Sequence, residues 1–248
     1  MATNRFFVPA SSLEEEQVRL SPEQAHQVHH VLRLKPGDAI VVLDDRGVEY
    51  DVTLTGVGPR EAVGRVTDRR LAPGEPAVEV TLFQSLLARE KFEWVLQKGT
   101  EIGVAHFVPV LTERSLVREK QIEKNKRERW RRIMTEAAEQ SHRGRLAKLE
   151  PLMAFREAVA QARSFDRCLI AAPFQEAAPL REILAGAGPG SSIALLIGPE
   201  GGFTPEEVAL ACEKGAVPIG LGPRVLRTET AAMVAAALIL YELGEMGP

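Results

Sequence analysis

The segment Ile193-Ala194-Leu195-Leu196-Ile197 is apolar at every position. A strand with one wet face alternates apolar and polar residues, so a run without alternation is buried on both faces, as in a parallel sheet covered by helices. Segments that read as strands lie at 78–83, 106–111, 167–172, 192–198 and 216–221. Helical patterns separate them at 91–103, 122–143, 179–185, 205–214 and 228–243. This alternation predicts an α/β domain with a mostly parallel sheet.

The first third of the chain has a different texture. Short alternating segments at 39–43, 50–54 and 62–66 lie between turn signals such as Asp44-Asp45-Arg46-Gly47, which predicts a small β-rich module. One helical stretch, 21–32, interrupts it, with Ser21 as cap and Pro22 at the first helical position. Leu71-Ala72-Pro73-Gly74-Glu75-Pro76 then carries two prolines and a glycine in six residues. The boundary belongs there, giving domains 1–72 and 77–248.

Composition narrows the function classes. With 45% hydrophobic and 26% charged residues the chain is globular and not disordered. Its longest apolar run, Ala231 to Tyr241, is far below the roughly 20 residues of a membrane crossing, and Met1 to Phe7 lacks a secretory pattern. A cytosolic protein with no membrane partner is expected. Cys168 and Cys212 form no C-x-x-C, so neither a disulfide framework nor a zinc site is expected, and both are read as buried apolar residues. The five histidines are not spaced as a metal pair, and no metal is expected. The net charge of −3 is an average: between Glu113 and Lys148 twelve Lys/Arg stand against six Asp/Glu. Of the 31 basic residues 23 are arginine, whose rigid fork suits phosphate, so an anionic partner is indicated.

The common nucleotide and hydrolase signatures are missing. There is no Gly-Lys-Ser/Thr, no G-x-S-x-G and no H-E-x-x-H, and Gly186-Ala187-Gly188-Pro189-Gly190 precedes a strand instead of following one. Two other segments stand out. Leu196-Ile197-Gly198-Pro199-Glu200-Gly201-Gly202-Phe203 leaves a strand and enters a helix near Thr204. Leu221-Gly222-Pro223-Arg224-Val225-Leu226-Arg227-Thr228-Glu229-Thr230-Ala231 does the same. Glycines at the carboxyl end of a strand let backbone groups approach a ligand, and open α/β sheets bind ligands at that edge. Two such loops fit one nucleotide-like ligand.

These segments, with Lys98-Gly99-Thr100-Glu101-Ile102-Gly103-Val104, Glu113-Arg114-Ser115 and Glu136 to Arg143, resemble the ribosomal RNA small subunit methyltransferase E family. That family belongs to the SPOUT class of S-adenosylmethionine-dependent RNA methyltransferases. Arg5 to Val8 and His30 to Asp38 fit its first domain. The chain departs from the family pattern between Ser141 and Pro151, where Gly144 to Glu150 intervene before the proline. The resemblance implies an N-terminal PUA-like β-barrel that binds RNA and a C-terminal α/β domain tied in a trefoil knot. It also implies a homodimer. Carried over by position, the cofactor loops are Ala172 and Pro173; Ile197, Gly198, Pro199, Glu200, Gly201 and Gly202; and Leu221, Gly222, Arg224, Leu226, Thr228, Glu229, Thr230 and Ala231. The implied reaction is methylation at N3 of one uridine in 16S rRNA of the small subunit.

Uracil N3 is a weakly acidic imide, so the site must take its proton or stabilise the charge spreading onto O2 and O4. Arg227 and Arg114 are the expected charge stabilisers, with Glu200 and Glu229 orienting an arginine or accepting the proton. For RNA contact the expected residues are Arg5 and Arg33 in the first domain and Lys98, Arg114, Arg129, Arg132 and Arg143 in the second. Trp130 is expected in the core. Two rival readings are a non-catalytic ribosome-binding protein and a SPOUT enzyme acting on another RNA.

Overall fold

The computed structural model describes residues 4–14, 16–117, 119, 121–172 and 178–247. The chain divides into two compact units, Met1–Glu75 with Ala138–Leu146, and Pro76–Ala137 with Ala147–Pro248.

The first unit is a six-stranded sheet of β1 (Arg5–Phe7), β2 (Leu13–Glu14), β3 (Gln17–Arg19), β4 (Ala39–Leu43), β5 (Val48–Val57) and β6 (Ala62–Leu71), in the order β1-β4-β5-β6-β3-β2. β1 runs parallel to β4 and the other pairs are antiparallel. The ends of this order do not pair among the described residues, so the sheet is the half-barrel form of the PUA-like fold. One face buries Phe6, Ile40, Val42, Val52 and Leu54 under α1 (Pro22–His26). Ser21 and Gln24 close that helix with a reciprocal cap, Gln24 N–H to Ser21 Oγ at 3.2 Å and Ser21 N–H to Gln24 Oε1 at 3.1 Å. Phe7 and Leu43, one residue along from Phe6 and Val42, turn to the other face and meet Ala72 and Ala138.

The family departure at 141–150 has a structural basis. Glu75 accepts the Arg143 guanidinium at 2.6 Å and the amides of Gly144 and Arg145 at 3.2 and 3.1 Å. Asp45 accepts the amide of Leu146 at 2.6 Å. A Cβ on Gly144 would lie 2.5 Å from the Ala72 Cβ and 2.9 Å from Gly47, so only glycine lets this segment lie down. The segment ends in β9 (Lys148–Leu149), which pairs with β8 (His106–Leu111).

The second unit is a parallel sheet in the order β10-β8-β7-β12-β11-β13, built from β7 (Glu79–Ser85), β8, β10 (Met153–Ala154), β11 (Arg167–Ala171), β12 (Ser192–Ile197) and β13 (Val217–Ile219). Two prolines fall where a strand can lose a donor. Pro218 is in the edge strand β13. In β8 the carbonyls of Ala105 and Phe107 point to the outer edge, accepting from Lys148 and Glu150. By the period of two Pro109 turns its missing N–H to that edge as well, in the gap between the short strands β9 and β10.

Both faces are covered, as the unbroken apolar runs require. Leu82, Leu169 and Leu195 pack under α2 (Arg89–Ile102), α3 (Lys124–Gln140) and α7 (Thr228–Glu242), while Phe83, Ile170 and Leu196 pack under α4 (Phe155–Ala162) and α6 (Pro205–Glu213). Trp130 of α3 is fully buried and stacks on Phe92 of α2, ring centroids 4.5 Å apart, so it is a core anchor. Sequence periodicity missed α4, β9 and β10, and α5 shrinks to Leu180–Ile183. Cys168 is buried, and burial pushes its thiol up to about 12. Cys212, expected to be buried as well, is exposed on α6.

Candidate active site at the strand ends

Because the strands are parallel, their carboxyl ends share one edge. β12 is inserted between β7 and β11, both earlier in the chain, and a reversal of strand order of this kind marks the edge where open α/β sheets take ligands. The loops after β8, β12 and β13 leave from that edge, as does Ala172 at the end of β11. The Ala172 amide donates to Ile219 O at 3.3 Å and holds two of them side by side. After β12 the chain folds back on itself: Gly202 N–H reaches Pro199 O at 2.9 Å, and Gly202 takes φ +66°. A Cβ on Gly198 would come within 3.1 Å of the Phe203 amide, so the turn needs glycine at that point.

A buried polar relay fixes the loop to the neighbouring helix. The Thr228 hydroxyl donates to Gly198 O. That uses its only proton, so it can only accept from Gln84 Nε2, 3.3 Å away, which also donates to Ser85 O at 3.1 Å. The amide orientation of Gln84 is thereby set, and Oε1 is left buried with no donor among the described residues, as is Ser85 Oγ. An acceptor buried without a partner costs about 1–3 kcal/mol, and a ligand bearing N–H or O–H groups would satisfy it. Gln84 was not foreseen. Glu79, Thr81 and Ser85 are polar neighbours in the same stretch, so nothing in the local pattern singles it out.

Lys91 interacts with three charged residues of these loops, Glu200, Glu229 and Arg227. Glu200 Oε1 and Lys91 Nζ are 2.8 Å apart. Glu229, in the first turn of α7, keeps one buried carboxylate oxygen with no partner among the described residues, and both its charge and that of Arg227 act on Lys91. The hydrogen bond to Glu200 raises the Lys91 pKa above its ordinary value. For Glu200, burial pushes the pKa up, but the hydrogen bond and charge of Lys91 together with a backbone amide outweigh it and hold the carboxyl below its usual range. The tether is therefore complete between the ordinary Glu and Lys values. It is lost as pH falls through the depressed Glu200 value or rises through the raised Lys91 value. Lys91→Met is expected to move the Glu200 titration upward in side-chain carbon NMR. An unmoved titration would show that Lys91 is not what holds it.

Arg114 lies elsewhere on the same loop, its Nη1 donating to Gly201 O at 3.0 Å and Phe203 O at 3.4 Å. Of the other expected cofactor residues, Ile197, Gly198, Pro199 and Thr228 are buried, Ala172, Gly202, Leu221, Leu226 and Ala231 are half-buried, and Gly201, Gly222, Arg224 and Thr230 are exposed. Pro173 lies outside the described residues.

The expected RNA contacts separate into two groups. Arg33 and Arg132 are exposed. Lys98 pairs with Glu101 at 2.8 Å and Arg129 with Glu93 at 2.8 Å, with their outer surface still open. Arg5 and Arg143 do not belong on an RNA face. Arg5 is ion-paired to the buried Glu49, and Arg143, 2% exposed, is paired to Glu75. Their charge is used inside the first unit.

Comparison with known proteins places this geometry in a family. The family model described as "RNA methyltransferase domain" matches residues 74–240, and "RNA methyltransferase PUA domain" matches 22–67. The chain is 33% identical to ribosomal RNA small subunit methyltransferase E of Bacillus subtilis over 96% of each chain. It is 35% identical to that of Synechocystis, over 95% of this chain and 76% of the relative. The crystal structure of ribosomal RNA small subunit methyltransferase E from Neisseria gonorrhoeae bound to S-adenosyl methionine superposes with a TM-score of 0.86 at 31% identity, over 97% of this chain and 98% of that one. With a two-domain architecture, strand-end loops and full-length relatives in agreement, the chain belongs to the ribosomal RNA small subunit methyltransferase E family.

Proposed function

We propose that the protein methylates N3 of one uridine in the 16S rRNA of the small ribosomal subunit, using S-adenosylmethionine. The carrying observation is the strand-end edge, where a glycine-rich turn bound by Arg114, an acceptor on Gln84 buried without a donor among the described residues, and the Lys91–Glu200 pair come from neighbouring loops and strands. These residues fit that cofactor. It is cationic at sulfur and at its ammonium, which suits two carboxylates, and it carries N–H and O–H donors for Gln84. The loops at 172–173, 197–202 and 221–231 would hold it, and the proposed trefoil knot would thread them together.

When bound, the cofactor supplies an activated methyl group. The protein's part is alignment, exclusion of water and charge. As N3 loses its proton, negative charge spreads over O2 and O4, and Arg227 and Arg114 donate to it in the fork geometry that guanidinium allows. Glu229, with its unpaired oxygen, accepts the proton or fixes Arg227, while Lys91 keeps Glu200 ionised beside them.

The PUA-like domain, expected over 1–72, would hold RNA through Arg33, and the methyltransferase domain, expected over 77–248, through Arg129 and Arg132 on α3. Phosphate contacts of this kind supply affinity without sequence information. A homodimer is supported by α7, where Val234, Leu238 and Tyr241 form an outward apolar stripe at helical spacing, Tyr241 61% exposed. No described helix is long and apolar enough to cross a membrane, in keeping with the cytoplasmic site where ribosomes are built. The test is to map methylated nucleotides on small subunits from cells lacking the protein. One N3-methyluridine in 16S rRNA is expected to vanish and to return on adding purified protein and S-adenosylmethionine. An undiminished modification pattern overturns the proposal.

A further inference from the structure

Glu207, on the first turn of α6, is 8% exposed, and a carboxylate is seldom buried unless its oxygens are used. Its Oε2 accepts the Thr204 amide at 2.9 Å while Thr204 Oγ1 accepts the Glu207 amide at 3.2 Å, a reciprocal helix cap. A cap needs no more than that oxygen. The other one, Oε1, accepts the amide of Glu113 at 2.9 Å from the turn after β8.

That turn is closed in itself. Ser115 N–H donates to Thr112 O at 3.2 Å, and the buried Ser115 hydroxyl accepts the Thr112 amide at 3.1 Å. Glu207 ties it to α6. Arg114 then reaches from the turn to the carbonyls of Gly201 and Phe203, and its side chain packs on Gly201, where a Cβ would stand 3.3 Å from the Arg114 Cβ.

We infer that Glu207 is a positioning residue for methyl transfer. Through the Glu113 amide it docks the 112–115 turn and so sets Arg114 over the loop 198–203. The role rests on the reading of the strand-end cluster as the methyl-transfer site. The carboxylate touches no reacting atom and acts through the turn. A glutamine in its place could accept from only one of the two amides and would turn an N–H toward the other.

The amide can be removed without touching the cap. Glu113 occupies the second position of a β-turn, where proline is favoured. Glu113→Pro thus keeps the turn and deletes the N–H, while Glu113→Ala keeps the N–H and deletes the side chain. Full-length variants are compared in single turnover on small subunits from cells lacking the protein, at saturating S-adenosylmethionine, with cofactor affinity from calorimetry and melting temperature alongside. Relative to Glu113→Ala, Glu113→Pro is expected to be about tenfold or more slower, since small misplacements at a reacting centre cost that much, with cofactor affinity unchanged. Glu207→Gln should slow the wild type similarly but add nothing to Glu113→Pro. Thr204→Ala, which weakens only the cap, should melt lower and keep its rate. Equal rates for the proline and alanine variants overturn the role, as does a loss that falls on cofactor affinity or melting instead of rate. A wild type that transfers no methyl overturns the reading of the site and the role with it.

Discussion

Arg143→Ala is expected to destabilise the first unit by about 3–5 kcal/mol, the usual result of stripping one partner from a buried ion pair. The guanidinium is 2% exposed and meets Glu75 at 2.6 and 3.3 Å, so its loss leaves a partly buried carboxylate facing alanine. Two amides, of Gly144 and Arg145, stay on Glu75 and soften the penalty without removing the charge. Denaturant unfolding checks the effect, and RNA affinity of the folded protein should hardly change. Arg132→Ala, at an exposed position of the basic helix, should do the reverse, keeping the midpoint and weakening RNA binding in a salt-dependent way. An Arg143→Ala protein with an unmoved midpoint and weakened RNA binding would return Arg143 to the RNA face.

Arg143 also shows where sequence stops informing. Its place in a basic stretch suggested phosphate, but charge pattern reports what is concentrated, not which way it faces. Glu75, its partner, sits in the proline-glycine linker 68 positions away, and pairing at that range leaves no trace in local spacing. The same applies to Arg5 and Glu49. What was legible rests on short-range physics: apolar runs for the parallel sheet, Ser21 and Thr204 as caps, and glycines at the ends of β12 and β13 for the ligand edge. Helix α4 was missed although Phe155, Ala158, Val159 and Ala162 fall on one face, because eight residues, three of them alanine, are too few for the helical period to stand out.

The candidate site follows the same division. The resemblance located the loops 197–202 and 221–231, and the fold brings them to one edge. Lys91, Gln84 and Glu207 were not foreseen, because each acts through a partner on another element: Glu200, Thr228 and Glu113 respectively. A Thr-x-x-Glu pattern at 204–207 does announce a cap, but it says nothing of the second oxygen.

Arg227→Ala is expected to slow methyl transfer by about 10²–10³-fold at saturating cofactor, the loss seen when one preorganised donor to a developing negative charge is removed, worth about 2.7–4 kcal/mol. The residue is exposed at the start of α7, with extended backbone (φ −64°, ψ 151°), and its side chain makes no cap bond. Alanine should therefore leave the helix start intact. Its charge acts on Lys91, as does that of Glu229. Cofactor affinity should change little, because the charge it answers exists only once N3 has lost its proton. Arg227→Lys should recover part of the rate, since it restores charge without the fork. Single-turnover rates with calorimetric cofactor binding decide the matter. Near-normal rates in both Arg227→Ala and Arg114→Ala would mean that the charge on the base is stabilised by groups other than these two guanidiniums.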